Sequence, residues 1–75
     1  MPKLPRVSAA RLVRALRRAG FAEDHQVGSH LTLIHPTTGQ RVVVPMHPGD
    51  LPIGLLHDIL KQAGLTGDGL RQLLR

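Results

Sequence analysis

The spacing of apolar side chains predicts a helix near the N-terminus. Over residues 9–19 they recur every three or four positions, which is the period of one helix face. Ser8 is a candidate N-cap because its hydroxyl can accept a hydrogen bond from the first turn, and Gly20 suits the position after the last turn. The apolar stripe of this helix comprises Leu12, Ala15, Leu16 and Ala19.

Three short segments with strand character follow this helix. We expect the first strand within residues 21–27, the second over about residues 29–35 and the third over residues 41–45. Gly28 forms the turn between the first two strands. Residues 37–40 form the second hairpin loop, in which Gly39 supplies a positive φ. Consecutive strands joined by short turns predict a small three-stranded antiparallel sheet.

Residues 51–63 return to helical spacing, and Gly64 is placed to end this second helix. We predict a last short helix over residues 66–75. Gly67 and Gly69 weaken its start because glycine has a low helix propensity. With residues 1–7 as a leader, we interpret residues 1–75 as one α+β domain of order α-β-β-β-α. Two amphipathic helices bury their stripes only by covering the same face of the sheet, so the other face is expected to stay open.

The turn before the second strand carries the candidate chemistry, in the triplet Gly28-Ser29-His30. Glycine permits a tight turn and a close approach of ligand, and histidine is the side chain whose ordinary pKa suits proton transfer near neutral pH. Alternation along the strand puts Leu31 and Leu33 on the covered face and His30 and Thr32 on the open face. From the residues alone, His30 is either a proton-transfer group or a structural histidine that caps the turn.

The charge of the chain adds a candidate partner. Ten Lys and Arg against five Asp and Glu give a net charge of +5, and eight of the ten are arginine, which binds phosphate and carboxylate through planar, paired contacts. A polyanionic partner is expected, although an arginine-rich surface also arises without one. With one Phe and no Trp or Tyr, the chain lacks a set of rings on which to stack bases. The candidate phosphate-binding residues are Arg11, Arg14, Arg17 and Arg18 on one helix arc, and Arg41 after the hairpin loop.

Other site chemistries find little support in the spacing. Ser29 and His30 are strand neighbours that point to opposite faces, so they cannot act together as nucleophile and base. The histidines at 25, 30 and 35 fit no usual ligand spacing, and the chain has no cysteine, so we expect neither a metal site nor a disulfide. No segment is apolar enough for a membrane span or a signal peptide, and the expected location is the cytoplasm.

Short motifs are spread over about residues 8–66. They are Leu16-Arg17-Arg18-Ala19-Gly20-Phe21, Gly28-Ser29-His30, His35-Pro36, Gly39, Val42-Val43-Val44-Pro45-Met46-His47 and Leu51-Pro52-Ile53-Gly54-Leu55-Leu56-His57-Asp58-Ile59-Leu60-Lys61-Gln62-Ala63-Gly64-Leu65. Taken in order, these motifs resemble the HicA (YcfA-like) toxin family. The resemblance implies a double-stranded-RNA-binding-domain-like fold with helices on one face of the sheet. It also implies an mRNA interferase, a ribosome-independent and metal-independent endoribonuclease neutralised by a HicB-like antitoxin.

Under this resemblance His30 matches the catalytic histidine of the family. Gly28 and Ser29 are expected to shape its turn and to belong to the RNA-binding residues. The chain departs from the family at Val27, where members commonly carry a lysine, and at Leu31, where they often carry a second histidine. No cofactor is expected, and the free protein is expected to be a monomer. The remaining histidines are interpreted as structural or exposed, with His47 nearest the site; they are His25, His35, His47 and His57.

Two alternatives stay open at this point. One is a non-catalytic RNA-binding module of the same fold, which keeps the basic face but needs no titrating residue. The other is a protein-interaction domain whose basic face receives an acidic partner.

Overall fold

A three-stranded antiparallel sheet and three helices make up the fold, in a computed structural model that describes residues 4–75. Met1–Lys3 of the predicted leader lie outside the described residues. The sheet order is β1-β2-β3. The predicted α+β class and α-β-β-β-α order are confirmed, with the short C-terminal helix as the last element. The elements are α1 (Ala9–Arg18), β1 (Ala22–Val27), β2 (His30–Ile34), β3 (Arg41–Pro45), α2 (Ile53–Ala63) and α3 (Gly67–Leu73).

The helices cover one face of the sheet, as the hydrophobic pattern predicts. Leu31 and Leu33 of β2 and Val42 and Val44 of β3 are buried in one cluster with the apolar stripes of α1 and α2. Each such side chain contributes roughly 1.5–3 kcal/mol when fully buried. The same cluster includes Val7, which the sequence analysis places in the leader. The chain therefore enters the core before α1 begins.

Side-chain caps define the starts of α1 and α3. The Ser8 hydroxyl accepts a hydrogen bond from the Arg11 N–H at 3.2 Å, as expected of an N-cap. At α3 the Thr66 hydroxyl accepts one from the Gly69 N–H at 3.0 Å. This cap and the fully buried Leu70 offset the low helix propensity of the two glycines in α3. The C-terminal helix is thus held by a local cap and by the burial of Leu70.

The two hairpins differ in how they close. Gly28 and Ser29 form a two-residue turn between β1 and β2, and Gly28 has a φ of +58°. In the β2–β3 loop the His35 imidazole Nδ1 accepts hydrogen bonds from the Thr37 and Thr38 N–H groups at 3.2 and 3.3 Å. The His35 ring also packs edge-on against Phe21 with centroids 5.1 Å apart. His35 therefore serves the second hairpin as a structural side chain.

Candidate active site

His30 is the first residue of the central strand and is exposed on the open face of the sheet. It pairs with Val27 on β1 and with Pro45 on β3. Side chains alternate along β2, so the burial of Leu31 and Leu33 under the helices directs His30 to the opposite side. Strands on both sides fix the backbone of His30, and its ring stays exposed to a ligand.

Backbone bonds hold the turn that precedes His30. The Ser29 carbonyl accepts a hydrogen bond from the Met46 N–H at 2.6 Å, which extends the β2–β3 pairing by one residue. The Gln26 side-chain amide donates to the Gly28 carbonyl at 3.0 Å. No atom lies within 4 Å of where a Gly28 Cβ would stand, so space does not require a glycine here. The positive φ does, because other residues rarely adopt it. His47 follows Met46, which places it beside this turn.

A bulge in β1 sets a second histidine on the same face. Glu23 pairs with Leu33, but the next pair is His25 with Thr32, so Asp24 is an extra residue in the strand. The extra residue shifts the later part of β1 by one position. As a result His25 and Val27 lie on the face of His30.

The Asp24 carboxylate accepts a hydrogen bond from Nδ1 of His25 at 2.6 Å. The His25 side chain is 51% exposed. From the sequence His25 is interpreted only as structural or exposed, because neither the bulge nor the register can be read from the strand pattern.

The rest of the open face is more apolar than the alternation of side chains along β2 predicts. Thr32 lies on this face but is only 6% exposed, because His25 and Val43 flank it from the neighbouring strands. Val27 and Val43 are 69% and 39% exposed. His30 therefore borders a surface with exposed aliphatic groups.

The five candidate phosphate-binding arginines do not surround His30. The four on α1 are exposed on the side of the helix opposite its buried residues, and that helix lies on the covered face of the sheet. They therefore point away from the face that carries His30. Arg41 shares the open face but pairs with Ile34, four residues along β2 from His30, which is a separation of about 13 Å.

Three of the four arginines of α1 instead line a shallow groove of about 230 Å³ between α1 and the C-terminus. We call it the arginine groove. One of its members is also structural, because Nη1 of Arg18 donates to the carbonyl oxygens of Leu73, at 2.9 Å, and Arg75. Arg17 lies outside it and pairs with Glu23 at 3.2 Å. The lining residues are Arg11, Arg14, Ala15, Arg18, Leu73, Leu74 and Arg75.

The acidic side chains lie outside this groove. Glu23 pairs with Arg17, Asp50 with Arg6 at 3.8 Å, and Asp68 with Arg71 at 2.7 Å. None of these carboxylates lines the groove, so no acidic side chain among its lining residues offsets the charge of its arginines. The arginine groove is suited to an anionic ligand.

Among the helices of residues 4–75, none has the length and apolar character needed to cross a bilayer. Over the same residues, no three His, Cys, Asp or Glu side chains are grouped so as to hold a metal ion.

The fold and the site define a small basic α+β domain with an exposed histidine on its open sheet face and a separate arginine groove. A family model described as the HicA toxin of bacterial toxin-antitoxin systems matches residues 9–65. Because this match spans most of the 75 residues, the chain belongs to the HicA toxin family. It is thus the toxin of a toxin-antitoxin pair, with an antitoxin as its partner. A comparison with curated proteins gives no significant match.

Proposed function

We propose that this toxin is an endoribonuclease that cleaves mRNA independently of the ribosome, of metal ions and of cofactors, with His30 as its acid/base group. The observation that carries the proposal is the position of His30. An exposed imidazole stands at the start of the central strand, and β1 and β3 hold the backbone that carries it. A catalytic base must be accessible to substrate and must stand on a well-placed backbone, and this position meets both conditions.

RNA supplies the remaining chemistry. His30 removes the proton from a ribose 2′-hydroxyl, the 2′-oxygen forms a bond to phosphorus, and the bond from phosphorus to the 5′-oxygen breaks. The leaving 5′-oxygen takes up one proton in exchange for the one removed from the 2′-hydroxyl. The products are a 2′,3′-cyclic phosphate and a 5′-hydroxyl, and no water is consumed in this first step. Gly28 and Ser29 act indirectly, since their turn and the bond to Met46 hold His30 in place.

In this proposal, substrate binding is largely separate from the chemistry. The arginine groove holds RNA phosphates away from the cut site, and Arg41 adds a contact at the far end of the open face. Arg11 and Arg14 have the exposure that phosphate contacts require, and Arg17 contributes to the same charged arc. Such contacts supply affinity that is independent of sequence and falls with salt.

The antitoxin partner is proposed to be HicB-like and to cover the open face. Val27 and Val43 expose aliphatic surface beside His30, as expected of an interface that is buried in a complex. Covering this face would block access of RNA to the imidazole. We further propose that the free toxin is a monomer and acts in the cytoplasm, where its mRNA substrate is found.

A non-catalytic RNA-binding module is the alternative, and the separation of the arginine groove from His30 favours it. Incubation of purified toxin with RNA in the presence of EDTA distinguishes the two functions. The endoribonuclease cleaves and leaves a 2′,3′-cyclic phosphate or its 3′-phosphate product, and it does not cleave RNA with a 2′-deoxy sugar at the scissile nucleotide. Binding of RNA without any cleavage would establish the alternative.

A further inference from the structure

We propose that His25, oriented by Asp24, is a second catalytic residue that protonates the leaving 5′-oxygen. This inference rests on the proposed ribonuclease function and extends it. Cleavage by attack of a 2′-hydroxyl moves two protons, one away from the nucleophile and one onto the leaving group. A single imidazole can serve both only by changing position or protonation state between them.

The sheet register brings the two histidines together. His25 pairs with Thr32 and Val27 pairs with His30, and these pairs are successive same-face positions of the β1–β2 ladder. His25 and His30 are therefore diagonal neighbours on one face, with Cα atoms about 7–8 Å apart, within reach of long and aromatic side chains. In this proposal a phosphodiester group lies between the two rings, with one of its oxygens within hydrogen-bond distance of each ring.

The β1 bulge is what creates this arrangement. Without the extra residue, Asp24 would stand opposite Thr32 and His25 would face the helices. The bulge turns His25 onto the open face and leaves Asp24 beside it. Bulges frequently re-aim a side chain next to an active site.

Asp24 orients the His25 ring for proton transfer. The hydrogen bond of 2.6 Å directs Nδ1–H toward the carboxylate and leaves Nε2 as the nitrogen that exchanges a proton. A carboxylate at this position thereby fixes the tautomer and direction of the ring.

The proton balance assigns one role to each ring. His30 accepts the 2′-hydroxyl proton as the bond from the 2′-oxygen to phosphorus forms. The imidazolium of His25 gives its Nε2 proton to the 5′-oxygen as the bond from phosphorus to that oxygen breaks. His30 ends protonated and His25 neutral, and proton exchange with water restores both. No other reactant is consumed.

Two other histidines supply comparisons. His57 on α2 is also exposed beside an aspartate, Asp58, but α2 lies on the covered side of the sheet. His47 lies beside the Gly28–Ser29 turn. Its N–H bonds to the Pro45 carbonyl, so the chain turns there and the ladder does not direct its side chain.

The test replaces the leaving oxygen with sulfur. An RNA site that the wild-type toxin cuts is synthesised with a bridging 5′-sulfur, which departs as a thiolate and needs no proton. We expect His25→Ala to cut the oxygen substrate at least about 10²-fold more slowly than wild type, and the sulfur substrate at nearly the wild-type rate. Asp24→Asn is expected to show a smaller loss that sulfur also relieves. His57→Ala is expected to match wild type on both substrates.

The proposal is overturned if His25→Ala cuts the oxygen substrate normally, or if its loss is the same on both substrates. Selective rescue of His47→Ala in place of His25→Ala would also overturn it. His25→Gln, with circular dichroism on each variant, separates lost chemistry from lost folding. If the wild-type toxin cuts no RNA, the proposed ribonuclease function is wrong. If the wild-type toxin cuts RNA but the sulfur substrate does not rescue His25→Ala, the ribonuclease function stands and only the role of His25 is wrong.

Discussion

Val27 lies directly across the β1–β2 ladder from His30 and is 69% exposed on the same face. The resemblance of the sequence to the HicA family implies a lysine at this position. Directly opposed residues in an antiparallel pair have Cβ atoms about 4.5–5.5 Å apart, so a cation here would reach a phosphate bound at His30. The chain thus has an aliphatic group where a substrate contact is expected.

Val27→Lys is therefore expected to strengthen RNA binding. One added phosphate contact should steepen the dependence of log affinity on log salt by about 0.7 for single-stranded RNA. Binding titrations over a range of salt concentrations measure this slope. Ile53→Lys is the matched control, since Ile53 is 41% exposed at the start of α2. An equal effect of both variants would mean that net charge alone is responsible.

The arginine groove is tested by Arg11→Gln combined with Arg14→Gln. These two residues avoid Arg18, whose bonds to the C-terminal carbonyls would be lost together with its charge. Loss of two phosphate contacts should flatten the salt slope by about one to two units. The control, Arg6→Gln with Lys61→Gln, removes the same charge outside the groove. If only the control variant changes the salt slope, RNA does not bind in the arginine groove.

His30→Ala is expected to separate binding from chemistry. Loss of one acid/base group typically costs about 10²–10⁴-fold in rate, whereas affinity should change little because arginines hold the phosphates. RNA cleavage, growth arrest and RNA binding are measured on the same variant, with circular dichroism as the folding control. Cleavage by folded His30→Ala at the wild-type rate would contradict a catalytic role for this histidine.

Binding of the antitoxin is expected to shield His30. In a complex with its HicB-like partner, the toxin should stop cutting RNA, and His30 should become resistant to carbethoxylation as followed by mass spectrometry. His57 on α2 should stay reactive, since it lies on the covered side of the sheet. A tight complex that still cleaves RNA and leaves His30 reactive would place the antitoxin on another surface.

The His35 ring lies so close to Gly20 that a larger residue at position 20 is expected to destabilise the fold. Gly20 has a φ of +102°, and a Cβ there would stand 2.7 Å from Nε2 of His35. We expect Gly20→Ala to lower the free energy of unfolding by about 1–3 kcal/mol, from backbone strain and this contact. Urea unfolding measures the loss.

Gly39→Ala isolates the backbone part, since its φ is +76° and nothing lies within 4 Å of its Cβ position. In a His35→Ala background, Gly20→Ala should cost less. An equal cost in both backgrounds would show that the contact with His35 adds nothing.

The sequence by itself determined the elements and the covered face. Helical and strand periods reflect local geometry, so the helix and strand positions, and the turns at Gly28 and Gly39, follow from the residues within each segment. The exposure of His30 follows in the same way, because the burial of Leu31 and Leu33 fixes its direction.

Only the tertiary structure determined which candidate site residues lie close together. A bulge shifts one strand against another and leaves little trace in a short, fully exposed strand such as β1, so the meeting of His25 with His30 appears only in the folded sheet. The arginines of α1 share an arc in the sequence, but only the packing of α1 shows that this arc faces away from His30. Pairing between strands and packing of helices are non-local, and periodicity within a segment carries no information about them.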